Sequence, residues 1–253
     1  MKKNNLKNLL NMPEKSIKVF RTISKVNEIL IQKYGIPYRP QNPPNPVDML
    51  IATILSQNTN DKNSYKAFLY LKDNYRDWYE VATLSVSRIV REIKIAGLAE
   101  QKSKAIKNLL TSLIEKNGSI SLEYLLKFSN EEILKELTNY KGIGIKTASC
   151  VLLFSFKKNI CPVDTHVHRT TNRIGIVCTK APDKTFLILN KNLPQEIAHS
   201  FHTNLIRLGR EICKPTNQNC FICPLKNICR YPEKNFKIRT ASKENKFLLL
   251  DNI

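Results

Sequence analysis

An all-α fold is predicted for this chain by two features of its pattern. Only seven glycines occur in 253 residues, and apolar residues recur at three- and four-residue spacing, as in Ile89 and Ile93 or in Ile106, Leu109, Leu110 and Leu113. A first helix is predicted over 13–34. It must end before a linker carrying Pro37, Pro40, Pro43, Pro44 and Pro46, because proline lacks the N–H that continues a helix. The same periodicity places further helices at 47–57, 60–74, 85–95 and 101–117. Ser129 with Glu132 three residues on reads as a capping box, opening a helix over 130–137. The next helix, 145–157, starts after Lys141-Gly142-Ile143-Gly144. Asp164, a favoured N-cap, starts one over 164–174. Helices at 183–191 and 195–213 complete the set. The tail from Arg230 is polar until Phe247-Leu248-Leu249-Leu250 and is assigned no function.

Composition narrows the class of function. Lys and Arg total 41 against 21 Asp and Glu, a formal charge of +20, and the pI is near 9.7. Such a balance implies a polyanionic partner. No apolar run reaches the roughly 18 residues needed to span a bilayer, so nucleic acid is expected rather than membrane. The basic amino end, Met1 to Leu6, lacks the apolar core of a secretory signal. A cytoplasmic monomer is expected, nucleoid-associated in a prokaryote. Seven cysteines are an odd number, and four crowd between Cys213 and Cys229, which points to a metal centre in a reducing compartment rather than to disulfides.

Four constellations or single residues carry chemistry. Gly142 and Gly144 allow a helix, a tight hairpin and a second helix. The second helix start then offers N–H groups to a phosphate, although glycines also suit a simple αα corner. Lys146 falls in the first turn of that helix, where the positive end of the dipole disfavours an ammonium. An amine held unprotonated can attack carbon, while a lone lysine is ordinarily solvated surface. Asp164 can cap its helix and also take a proton or stabilise developing positive charge.

The last constellation is Cys213, Cys220, Cys223 and Cys229, separated by six, two and five residues. Four thiolates so spaced can enclose one centre, and the spacing alone leaves zinc and iron–sulfur both open. Arg210, Lys214, Lys226 and Arg230 flank it and could meet phosphates or simply be solvated. Cys150, Cys161 and Cys178 are expected to be small core residues. His199 and His202 read as packing residues, and His166 and His168 as candidates for backbone or DNA contacts.

Residues 137–153 (LTNYKGIGIKTASCVLL) followed by 162–173 (PVDTHVHRTTNR) resemble the helix-hairpin-helix, Gly-Pro-Asp superfamily of DNA glycosylases, and most nearly its endonuclease III enzymes. The resemblance runs from about Val47 to Cys229. It implies that Lys146 is the Schiff-base nucleophile, that Asp164 is the essential carboxylate, that Gly142, Ile143 and Gly144 grip the DNA backbone, and that the damaged nucleotide is flipped out. In the family a 6-2-5 cysteine spacing holds a [4Fe–4S] cluster, so the resemblance assigns one to the four cysteines in a structural role. Residues 51–61 (IATILSQNTND) resemble the helix end that fills the gap left by the flipped nucleotide, a role implied for Gln57 or Asn58. Gly97-Leu98-Ala99 resembles the segment supplying an apolar wedge, implied for Leu98. His166 is a further candidate DNA contact.

The resemblance also implies an architecture. Two helical lobes are expected, a helical barrel with the hairpin at 40–158 and a cluster lobe from 1–39 and 159–229, followed by the tail 230–253, with a DNA-binding cleft between the lobes. The implied activity is a bifunctional glycosylase and abasic-site lyase acting on oxidised or ring-saturated pyrimidines in duplex DNA. Close relatives read Leu-Pro where this chain has Tyr140-Lys141, and His168 replaces a usual aromatic; both changes bear on base preference. A monofunctional mismatch thymine or uracil glycosylase usually lacks the lysine. An adenine-specific relative would need a further domain beyond residue 229. A non-catalytic damage-binding module leaves Lys146 and Asp164 unused, and an iron–sulfur redox partner leaves the charge and hairpin unexplained.

Overall fold

The computed structural model describes residues 13–237 and Ile253; the tail segment 238–252, with Phe247 to Leu250, lies outside the described residues. Helices account for the regular structure, and there is no β-strand among the described residues. None of these helices is long and apolar enough to cross a membrane. The chain divides into two compact units, one containing Tyr38–Lys158 and the other containing the segment up to Pro37 together with the stretch that runs from Asn159 to Lys246.

The second of these begins with helix α1 (Glu14–Tyr34), which buries Ile23, Val26 and Leu30 and ends at Gly35 with φ +78°. In the 38–158 unit, Asn45 caps α2 (Pro46–Ser56), its Oδ1 accepting from Val47 N at 2.8 Å. Every residue of α2 from Val47 to Leu55 but Asp48 is buried. A helix apolar on all sides belongs inside, and each large side chain so buried contributes about 1.5–3 kcal/mol. Next come α3 (Asp61–Asn74), α4 (Trp78–Thr83) and α5 (Val86–Ile93). Helix α4 was not expected from periodicity. It is six residues long, capped by Asp77, and is held by one large side chain: Trp78 lies 6.2 Å from the Phe68 ring and donates from Nε1 to Asp48 Oδ1 at 2.5 Å.

A 3-10 turn (Lys94–Ala96) leads through Gly97 and Leu98 into α6 (Ala99–Asn117), which stops at Gly118 in the left-handed region. A second 3-10 turn (Glu123–Lys127) precedes α7 (Asn130–Thr138), whose Ser129–Glu132 capping box is present as expected. The single helix expected over 145–157 is instead α8 (Ile145–Cys150) continued by a π turn (Val151–Ser155). One side chain and two later backbone amides take up its carbonyls. The Arg39 guanidinium donates to Leu153 O at 2.8 Å, while Phe156 N reaches back to Val151 O and Lys158 N to Leu152 O.

In the other unit, α9 (Thr165–Ile174), α10 (Pro182–Lys191) and α11 (Ala198–Glu211) succeed one another. Helix α11 packs on α1 and α9; Ser200 Oγ donates to Asn27 Oδ1 at 3.0 Å and Asn204 Nδ2 to Gly35 O at 3.1 Å. His199 and His202 are buried on α11. Cys150 and Cys161 are buried as expected, but Cys178 is exposed. It comes after the left-handed C-cap Gly175, in a segment without regular structure: Ile176 and Val177 are buried, Asn172 Oδ1 accepts from Thr179 N at 2.7 Å, and Cys178 is left at the surface.

Candidate active site

Lys146 is the second residue of α8 and is half-buried, with Thr147 to Cys150 buried behind it. The hairpin before it is tight. Ile143 N donates to Tyr140 O at 3.0 Å, and the Ile143 side chain is buried, so that residue can offer a ligand little beyond backbone. Gly142 has φ +91°, and a Cβ added there would lie 2.7 Å from Ala105 Cβ of α6. Both facts demand glycine. Gly144 is the N-cap of α8 and places no side chain over the helix end, so its first N–H groups carry no side-chain cap. The preceding Tyr140 is buried beneath Lys116, whose Nζ lies 5.7 Å from the ring centroid, and burial raises its pKa.

Two turns of the same unit hold Gln57, Asn58 and Leu98, which are also expected to meet DNA. Gln57 is the C-cap of α2, and its Nε2 donates to Gly142 O at 3.3 Å, joining this turn to the hairpin. Asn58 is next, exposed, with φ +51°. Leu98 has φ +47° and is 51% exposed. A leucine in the left-handed region is a backbone outlier costing about 1–2 kcal/mol, and half of its apolar side chain stays exposed. Beneath both turns lies Lys102 of α6, 1% exposed, donating to Leu55 O at 2.7 Å and Ala96 O at 2.8 Å.

In the other unit, Asp164 caps α9 through Oδ1, which accepts from Val167 N at 2.8 Å. His166, half-buried, packs against Gly209 of α11, and its Nδ1 lies 3.1 Å from Arg169 Nη2; burial pushes its imidazolium pKa down, with the Asp164 carboxylate opposing. His168 Nδ1 bonds Thr185 Oγ1 of α10 at 2.7 Å.

The cysteine loop starts where α11 ends. Cys213 N donates to Leu208 O, and Leu225, buried at 1%, anchors the far side, its carbonyl accepting from Cys229 N at 2.9 Å. All four cysteines are half-buried. Burial pushes the Cys223 thiol up to about 12, and Cys213, Cys229 and Cys220 are near enough to raise it further, so the four sulfurs share one electrostatic environment. Among the described residues, no group of three or more His, Cys, Asp or Glu is gathered closely enough to hold a single metal ion. Two arginines whose part the sequence did not disclose tie the loop to α9. Arg169 Nε donates to Cys213 O at 3.0 Å and its Nη2 to Gly209 O at 2.9 Å. Arg173 donates to Lys214 O, to Pro215 O and, at 3.6 Å, to Cys213 Sγ, and stacks 4.4 Å from the Tyr231 ring.

Residues 51–195 match the model of the HhH-GPD superfamily base excision DNA repair protein. The chain is 38% identical over 192 residues to endonuclease III of Thermotoga maritima, covering 76% of this chain and 86% of that one. It is 32% identical over 213 residues to endonuclease III of Rickettsia prowazekii, covering 83% and 94%. Among solved structures it matches a trapped endonuclease III–DNA covalent intermediate with a TM-score of 0.72 at 27% identity, over 87% of this chain and 97% of that one. The helical hairpin with a lysine in its second helix and the four-cysteine loop thus lie in a chain related over most of its length to these enzymes, and the chain belongs to the endonuclease III family of the HhH-GPD base excision DNA repair superfamily.

Proposed function

We propose that the protein is a bifunctional DNA glycosylase and abasic-site lyase, with Lys146 as nucleophile and Asp164 as its carboxylate partner. The observation that carries this is Lys146 at the start of α8, behind a glycine hairpin fit to hold a phosphate. Family membership supports it.

In the reaction, Lys146 Nζ forms a bond to the sugar C1′ as the bond from C1′ to the damaged base breaks, and the base leaves with the electron pair. The Asp164 carboxylate takes a proton from the attacking amine and offsets positive charge on the sugar. Ring opening gives a Schiff base between C1′ and Nζ, which acidifies the C2′ proton. Loss of that proton expels the 3′ phosphate by β-elimination and breaks the strand. Gln57, Asn58 and Leu98 would occupy the duplex where the flipped nucleotide was, and Gly142, Ile143 and Gly144 would hold the phosphates. His166, packed against α11, is better placed to support the helix carrying Asp164 than to reach DNA.

The substrate class proposed is oxidised or ring-saturated pyrimidine in duplex DNA, together with abasic sites, and the working form is a monomer in the cytoplasm. Cys213, Cys220, Cys223 and Cys229 would hold a [4Fe–4S] cluster; all-thiol donors in one half-buried loop, with the Arg173 N–H directed at a sulfur, suit such a group. Its contribution is structural, since this reaction requires no electron transfer.

The test is borohydride trapping on an end-labelled duplex with one oxidised thymine, read on a denaturing gel. Wild type should give a covalent adduct and scission without alkali, and Lys146→Ala neither. Equal trapping by Lys146→Ala would overturn the assignment. Breaks only after alkali would favour a monofunctional glycosylase.

A further inference from the structure

Among the described residues, the largest fully buried side chains include one cation, Lys102. Its position on α6 is that of a core residue, in register with Ile106, Leu109 and Leu113, all buried. Among the described residues no carboxylate forms an ion pair with it. Its two acceptors are backbone carbonyls at the ends of two separate elements: Leu55 O in the last turn of α2 and Ala96 O, the last residue of the 3-10 turn. Carbonyls at helix ends lack intrahelical donors and carry the negative end of the dipole, so a cation suits both.

Both carbonyls lie just ahead of the residues expected to enter DNA. Two residues beyond Leu55 is Gln57, then Asn58 at φ +51°; two beyond Ala96 is Leu98 at φ +47°. These are the two turns whose side chains would occupy the inside of the duplex. Each leaves its helix through a left-handed residue with a side chain, a conformation that persists only where its surroundings hold it. A methionine would fill the same volume without burying a charge. The nitrogen is distinguished only by its two bonds.

We infer that Lys102 is a positioning residue that fastens the Gln57–Asn58 turn and the Leu98 turn to one point, so that both enter damaged duplex as a single preset element. The inference rests on the glycosylase reading. Gripping phosphates through the hairpin does not depend on Lys102; filling the gap at the lesion does.

The experiment measures binding of the full-length, cluster-loaded protein to two duplexes, one intact and one with a tetrahydrofuran abasic analogue opposite 2-aminopurine. Lys102→Met keeps the buried stem and removes the donors. It should lose about tenfold in affinity for the abasic duplex, a difference near 1.4 kcal/mol, with intact-duplex affinity unchanged and the 2-aminopurine fluorescence change on binding reduced. In a double-mutant cycle, Leu98→Ala should add little to Lys102→Met, since Lys102 acts through the position of Leu98. Equal loss on both duplexes, or additive effects, would reduce Lys102 to a packing residue and overturn the inference; so would a variant that binds like wild type. Should Lys102→Met fail to fold, Lys102→Gln, which keeps an N–H donor but cannot reach both carbonyls, carries the same comparison. A wild-type protein that does not prefer the abasic duplex overturns the glycosylase reading itself.

Discussion

The side-chain amide of Gln57 donates to the carbonyl oxygen of Gly142 at 3.3 Å, 85 residues away in sequence, joining the end of α2 to the hairpin before Lys146. The bond is long and exposed, so its net worth is at the low end of about 0.5–1.5 kcal/mol. It orients Gln57 without holding it fast, which suits the proposed role of that side chain at an orphaned base. Gln57→Ala should therefore leave the melting temperature within about a degree of wild type. Its affinity for an abasic duplex should fall several-fold, by roughly the worth of a hydrogen bond to a base. Calorimetry and a binding titration on the same sample check both; a large drop in melting temperature would show the bond to be structural.

Gly142 is constrained twice. Its φ of +91° excludes an unstrained side chain, and the 2.7 Å approach to Ala105 Cβ leaves no room for one. Gly142→Ala should destabilise the protein by about 2–4 kcal/mol, from backbone strain of about 1–3 kcal/mol plus overpacking. Adding Ala105→Gly removes the collision but not the strain, so the double variant should recover only part of the loss. Full recovery would mean that φ contributes nothing.

Much of this arrangement is legible in the sequence. Strong periodicity and capping residues locate α6 and α7 to within a residue or two, because local signals and tertiary packing agree there. They disagree at α4, where Trp78 anchors six residues with no room for a helical repeat, and at Val151–Ser155, where Arg39 takes a carbonyl from the helix ladder. Lys146 and Asp164 stand out because both sit at helix starts, which sequence marks well. Lys102 and Arg173 act through distant backbone carbonyls, and such partners leave no local trace. The one clue is a lysine in an apolar register, Lys102 with Ile106, Leu109 and Leu113.

That buried lysine has a titration signature. Burial pushes its pKa from an ordinary 10.5 down to about 8. The folded-state value lies below the unfolded one. Between about 8 and 10.5 the unfolded chain therefore binds a proton that the folded chain does not, and stability rises with pH across that window. Below about 8 both states are protonated and this contribution is flat. At its steepest the slope approaches one proton, about 1.4 kcal/mol per pH unit. Other lysines and tyrosines titrate nearby, so the readout is the difference between wild type and Lys102→Met in denaturant melts at successive pH values. A pH-independent difference would contradict the depressed value. The neutral amine retains two N–H groups for its two carbonyls, so the turns stay fastened throughout.

Asp164 has two duties that substitution can separate. As N-cap it satisfies Val167 N at 2.8 Å, a contribution of about 1 kcal/mol that asparagine makes equally well. In the proposed mechanism its carboxylate also takes a proton and stabilises positive charge, which a neutral amide cannot do. Asp164→Asn should therefore melt close to wild type while base excision falls at least about 100-fold, the lower range for loss of a general base. Asp164→Ala should lose the same activity and about 1 kcal/mol of stability as well. Single-turnover excision rates beside thermal melts make the comparison. If Asp164→Asn excises at the wild-type rate, the carboxylate serves only as a cap, and the proton from Lys146 must leave by another route.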